Sequence, residues 1–234
     1  MDAKTLLERL FPGGCDVAFD DVYFSGTGQC NNTDVAVLGT VDNTPIGIEL
    51  AYRMAGEVLD VVRNHPGRPI LLLVDTQGQR LSHRDELLGI NGYMAHLAKC
   101  IDLARRNGHR ILGLVYSHAV SGGFLASSML ADTCYALPDA EIRVMNLPAM
   151  ARVTKIPLER LTELSTASPV FAPGVGNYLR MGAIEALWEG DLADCLAKAL
   201  AAPVAGDRRR AFGEERQGRL LARPVADRVR HDAV

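Results

Sequence analysis

The sequence lacks the patterns that mark metal cages, disulfide frameworks and membrane spans. Its five cysteines (Cys15, Cys30, Cys100, Cys134 and Cys195) are odd in number and scattered, and no Cys-x-x-Cys pair occurs. This argues against a zinc cage or a disulfide scaffold and predicts free thiols in a cytoplasmic protein. No apolar run approaches the roughly 18 residues of a membrane-spanning helix; residues 70–74 are among the longest. The first eleven residues alternate charge and Leu like an amphipathic helix and lack the apolar core of a secretory signal. Excess positive charge is missing too. The net charge is −3, so nothing global draws the chain to nucleic acid or to an anionic membrane. No repeat of 20–50 residues is visible.

What is present is an ordinary globular composition. The 234 residues are 48% hydrophobic and 23% charged, enough for one domain with a sizeable core. The charge is unevenly spread. Residues 201–234 carry eight Arg and five acids, a balance of +3, which leaves −6 for residues 1–200. Pro203 and Gly206 precede the Arg-rich stretch and predict a boundary there. The expected organisation is a domain over 1–200 and an Arg-rich helical extension over 201–234. Arg208-Arg209-Arg210 reads most simply as a solvated helix face, and alternatively as a docking surface or phosphate contact.

The middle of the chain alternates strand and helix signals. Residues 35–41 and the continuous apolar runs 70–74 and 111–116 predict strands, the last two buried on both faces. Apolar spacing over 48–62 predicts a helix that ends at His65-Pro66-Gly67. Residues 84–106 predict one long helix closed by Asn107-Gly108, with basic residues in its last turn. A turn at 117–123 leads into a helix over 124–130. Short strands are expected at 133–137 and 142–144, and helices at 158–164 and 184–188, with a Pro- and Gly-rich loop at 169–176 between them. The expected fold class is α/β, with parallel strands covered by helices.

Two strand-to-helix turns carry the candidate chemistry. One is Asp75-Thr76-Gln77-Gly78-Gln79, and the other is Ser117 to Gly123. Loops at the carboxyl ends of neighbouring strands form the ligand crevice of an α/β fold. Ser121-Gly122-Gly123 opens a helix, where backbone N–H groups face an anion or a developing oxyanion. It is not a Walker loop, since no Gly-Lys-Ser/Thr follows, and the Gly-x-Gly-x-x-Gly fingerprint is absent. His118 is the group best suited to proton traffic near neutral pH, with Tyr116, Ser117 and Ser121 as other donors. The hydroxyls of Ser117 and Ser121 read most simply as caps of the following helix. Asp75 reads as a residue that fixes its turn, Trp188 as packing.

The two turns, about 45 residues apart, resemble the carboxyltransferase branch of the crotonase superfamily. The resemblance rests on the Asp-Thr-x-Gly strand end, the acidic start Asp85-Glu86-Leu87-Leu88-Gly89, the Ser-Gly-Gly turn and Ala131-Asp132. The stretches Val74 to Gln79, Tyr116 to Gly123 and Val144 to Ala151 are most similar to the gamma subunit family of malonate decarboxylase. The resemblance implies a crotonase-like fold with stacked parallel strands and surrounding helices. It implies a half-enzyme, completed by a crotonase-like beta subunit. The substrate would be a malonyl thioester on the dephospho-CoA-derived arm of an acyl carrier protein, with an acyl carrier protein transferase subunit as a further partner. No cofactor or metal would be bound by this chain. The implied catalytic set is Ser121, Gly122, Gly123 and His118; the implied substrate-binding set is Gln77, Gly78, Gln79, Ser117 and Asn146. Three other readings stand beside this one: an alpha-type subunit of an acyl-CoA carboxyltransferase, a non-catalytic supporting subunit, and a stand-alone hydratase or isomerase. The last needs carboxylates at the thioester carbon, and Glu159 and Glu163 flank no glycine turn.

Overall fold

The computed structural model describes residues 1–167, 174–204 and 206–232. The chain runs α1 (Ala3–Leu10), β1 (Cys15–Asp20), β2 (Tyr23–Cys30), β3 (Thr33–Thr40), β4 (Pro45–Ile46), α2 (Ile48–Asn64), β5 (Ile70–Thr76) and β6 (Gly78–Gln79). It continues through α3 (His83–Leu87), α4 (Ile90–Arg106), β7 (Ile111–Val120), α5 (Ser121–Leu125), a 3-10 turn (Ser128–Leu130), β8 (Thr133–Ala136) and β9 (Glu141–Arg143). Six further helices follow: α6 (Leu147–Thr154), α7 (Leu158–Ala167), α8 (Val175–Arg180), α9 (Leu192–Ala201), α10 (Arg209–Glu215) and α11 (Ala222–Asp232).

The main sheet has the order β1-β2-β3-β5-β7-β8, with β9 also on β7. The ladder from β3 to β9 is parallel. Alternation along these strands sorts the core into two layers. Val35, Val37, Leu71, Leu73, Leu112 and Leu114 pack towards α1 and α9. Ala36, Leu38, Ile70, Leu72 and Ile111 pack towards α2 and α4. Residues 70–76 are buried throughout, as a parallel strand covered on both faces must be.

Several expectations are corrected. The sheet is mixed, because β1 and β2 add an antiparallel meander to its edge. The turn between β2 and β3 is Asn31-Asn32, both at positive φ (47° and 63°), the left-handed pair that a tight hairpin needs. The long helix breaks at Gly89, whose φ of 76° starts α4 on a new course. The expected helix 124–130 is two short pieces. Ser127 Oγ donates to the Gly123 carbonyl at 2.6 Å and takes an acceptor that a continuing helix would use. The expected helix 184–188 is extended. Glu185 and Trp188 donate their N–H groups to the Cys134 and Ala136 carbonyls of β8, at 2.7 and 2.9 Å. The exposed edge of β8 satisfies this backbone better than a helical turn would. Most of the expected loop 169–176 lies outside the described residues, and its last two residues begin α8.

The Arg-rich stretch is joined to the rest of the molecule. Arg216 donates to the carbonyls of Leu179, Ile184 and Glu185 at 2.8–2.9 Å, and Arg209 to that of Ala131 at 2.7 Å. Phe212 is buried between the guanidinium groups of Arg208 and Arg216. α11, by contrast, has no buried residue.

Candidate active site

β7 does not end at Tyr116. It runs on to Val120, so Ser117 and His118 are strand residues rather than turn residues. Val115 pairs with Val74 and Ala119 with Thr76, so four steps along β7 match two along β5. The excess is a bulge, and it sets Tyr116, Ser117 and His118 opposite the single residue Asp75. β9 then pairs with the far end of the same strand, His118 against Glu141.

Asp75 is buried and anchored from two sides. Its Oδ2 accepts the Asn43 N–H at 3.0 Å, and its Oδ1 accepts the His118 N–H at 3.1 Å. Thr40 Oγ1 in turn accepts the Asp75 N–H at 3.1 Å. The imidazole of His118 lies against the same carboxylate, Nδ1 to Oδ1 at 3.1 Å, with Ser117 Oγ 2.9 Å from Nδ1. Nε2 is 3.6 Å from Glu141 Oε2, and Glu141 is ion-paired with Arg143. The His118 side chain is 35% exposed, so it is held and still reachable. Tyr116 is not a proton donor here. Its hydroxyl donates to the Thr40 carbonyl at 2.6 Å, and burial, then the Asp75 charge, push its phenol above the ordinary value.

The junction between β7 and α5 is tight on one side and open on the other. Ser121 has φ 51°, a left-handed conformation that a side chain tolerates only when its surroundings impose it. Gly78, at φ 100°, faces this junction: a Cβ there would stand 2.7 Å from the Val120 carbonyl oxygen. Gly123 faces Gly78 in return, and a Cβ on it would lie 2.8–3.0 Å from three Gly78 backbone atoms. Gly122 is different. A Cβ there would meet only Gln79, at 3.6 Å or more. The N–H groups of Gly122 and Gly123 start a helix and have no acceptor among the described residues.

The expected site residues therefore separate. Ser117, His118, Ser121, Gly122, Gly123, Gly78 and Gln79 gather around the ends of β5 and β7. Gln79 Nε2 donates to Glu86 at 3.3 Å. Gln77 is exposed, with its N–H on the Asn43 carbonyl. Asn146 is occupied elsewhere: its side-chain oxygen caps α6 through the Ala149 N–H at 2.8 Å. Neither serine caps α5, since Ser117 turns to His118 and the helix has no side-chain cap. Glu141 was invisible to sequence reasoning because its partner is reached through strand pairing.

The parallel strands of this mixed sheet, with a glycine-lined junction at their carboxyl ends, make the frame of a crotonase-type fold. The same fold occurs in a Pseudomonas malonate decarboxylase hetero-tetramer solved with coenzyme A (TM-score 0.80, 24% identity, 97% of each chain). It occurs also in the transcarboxylase 12S structure (TM-score 0.73, 21% identity, 85% of this chain and 41% of that one). The chain belongs to the malonate decarboxylase gamma subunit family, whose model matches residues 41–233. A curated relative, the malonyl-S-ACP:biotin-protein carboxyltransferase MADD of Malonomonas rubra, is 33% identical over 198 residues, covering 75% of this chain and 68% of the relative.

Proposed function

We propose that this chain is the gamma-type half of a decarboxylase that converts a malonyl thioester on an acyl carrier protein to the acetyl thioester and CO₂. A second crotonase-like subunit of beta type would complete the site. The observation that carries this reading is the open face at Gly122, with two N–H groups that have no acceptor among the described residues, beside a strand that presents His118. Family membership and the Malonomonas relative, named for malonyl-S-ACP, support the substrate class. The Pseudomonas MdcD-MdcE hetero-dimer, of the same fold, supports the two-subunit arrangement. The five free thiols suit a cytoplasmic setting.

The chemistry follows from the residues. The bond between the malonyl methylene and its carboxylate breaks, CO₂ leaves, and the electron pair moves into the thioester carbonyl. The Gly122 and Gly123 N–H groups stabilise the resulting enolate oxygen, an effect worth about 2.7–4 kcal/mol per donor. The enolate carbon then takes a proton from His118, and the carbonyl reforms.

The relative's name favours one second reading, transfer of the carboxyl group to a biotin protein. Both are tested by assaying the chain alone, its co-expressed beta-type partner alone, and the two together, with a carboxyl-labelled malonyl thioester. Turnover only from the pair is expected. Label in CO₂ supports decarboxylation, and label on an added biotin protein supports transfer. Full turnover by this chain alone would overturn the two-subunit reading.

A further inference from the structure

The imidazole of His118 has two competing arrangements within hydrogen-bond reach of Nδ1. In one, Nδ1–H donates to Asp75 Oδ1 at 3.1 Å. In the other, the Ser117 hydroxyl donates to a bare Nδ1 at 2.9 Å, and the ring proton sits on Nε2. The two place the reactive lone pair of the neutral ring on opposite nitrogens.

The surroundings of Asp75 decide between them. Its two oxygens accept one backbone N–H each, from Asn43 and from His118 itself, so both face donors. An ionised carboxylate only accepts. A bare Nδ1 at 3.1 Å would set lone pair against lone pair. We propose that Asp75 is a positioning residue that holds His118 as the Nδ1–H tautomer, so that Nε2 is the atom that delivers the proton. The bulge in β7 exists on this account to bring one carboxylate to both the backbone and the ring of the same residue.

Nε2 has no hydrogen-bond partner among the described residues. The charged groups around it are Glu141 from β9, 3.6 Å away and engaged by Arg143, and Asp75 from β5. In the doubly protonated ring Nε2–H is the proton given to the acyl carbon. When it transfers, the N–H bond breaks, the enolate pair forms the C–H bond, and the neutral ring is left with its remaining proton on Nδ1, still held by Asp75. No rotation of the ring is needed before the next proton arrives from solvent.

This inference deepens the proposed function and rests on it only for the identity of the reaction. The test reads the tautomer directly. The full chain, labelled with ¹⁵N in its six histidines, is examined by two-bond ¹⁵N–¹H correlation at a pH where the ring is neutral, with His118→Gln assigning the signals. The expected spectrum has Nδ1 protonated and Nε2 bare. The reverse overturns the proposal, whatever the activity of the complex. In Asp75→Asn the population is expected to move towards Nε2–H, and in the assembled complex kcat should fall about 10²-fold with KM little changed. An Asp75→Asn chain that keeps both the wild-type tautomer and wild-type kcat would overturn it equally. If that variant fails to fold, the wild-type spectrum alone still decides. A wild-type Nδ1–H tautomer in a complex that shows no decarboxylation would instead strike the proposed function and leave the positioning role standing.

Discussion

Gly122 and Gly123 are neighbours in the chain with opposite surroundings, and substitution should separate them. Gly123→Ala drives a methyl into the Gly78 backbone, which lies 2.8–3.0 Å from the Cβ position, so the cost falls on the fold. Overpacking of this kind costs about 1–3 kcal/mol, visible as a lower melting temperature. Gly122→Val meets only the flexible Gln79 side chain and should melt close to wild type. Its turnover in the assembled complex should nevertheless drop by about 10²–10³-fold, because the new side chain stands on the open face and keeps the substrate oxygen from the N–H groups. Equal melting temperatures for the two variants would remove the distinction. His118→Gln keeps a hydrogen-bonding amide and loses the titrating ring, so turnover should fall about 10²-fold with folding intact. A pH–rate profile identical to wild type in that variant would take His118 out of proton transfer.

At the scale of elements, the segment that carries Gly78 and Gln79 is locked by ions. Arg80 grips the buried carboxylate of Asp85 with two bonds, 2.5 and 2.8 Å, and reaches Glu49 of α2 at 2.8 Å. The Arg80 guanidinium holds the Asp85 carboxyl below the usual carboxylate range. The folded state thus favours ionised Asp85. Its contribution is complete above the unfolded-chain value of about 4 and fades as pH falls through the lowered folded value. Asp85→Asn should therefore lower the melting temperature at neutral pH and flatten its decline at acid pH. A variant that loses stability in parallel with wild type across the acid limb would contradict this. The strands at 70–76 and 111–120 were legible because continuous apolar runs allow little else in a covered parallel sheet. Ser117 and His118 hid the end of β7, since a polar pair after an apolar run looks like a turn. The hairpin at 15–30 was hidden by Gly26 and Gly28, which weaken the strand pattern of β2. Residues 184–188 carry a helix-like apolar spacing, and only the free edge of β8 decides their course. Asn146, expected in the substrate-binding set, caps α6 with its side-chain oxygen, a local bond that the sequence also permits.

At the scale of the whole molecule, the Arg-rich stretch divides into a part that holds the fold and a part, α11, that has no buried residue and meets α10 through the exposed Arg223–Glu214 pair. The carbonyls of Leu179, Ile184 and Glu185 all end on Arg216, and Gly213 and Gly218 pack against the Arg180–Met181 backbone. Truncation after Ala202 should lower the melting temperature of the chain itself. Truncation after Arg219 removes α11, which carries exposed Val225 and Val229 and no buried residue. That shorter cut should leave melting unchanged and weaken co-elution with the beta-type partner. Equal melting temperatures for the two truncations would assign the whole stretch to assembly.

The bulge opposite Asp75 gives the sheet a history that stability alone would not write. Removing Ser117 and His118 would pair Tyr116 with Asp75 and carry the β5–β7 ladder through without interruption. Selection for a regular sheet would favour that shorter chain. On the proposed role of His118 the two surplus residues are kept for their chemistry, so in a descendant that used the fold as mere scaffolding, this is where a two-residue deletion should first appear.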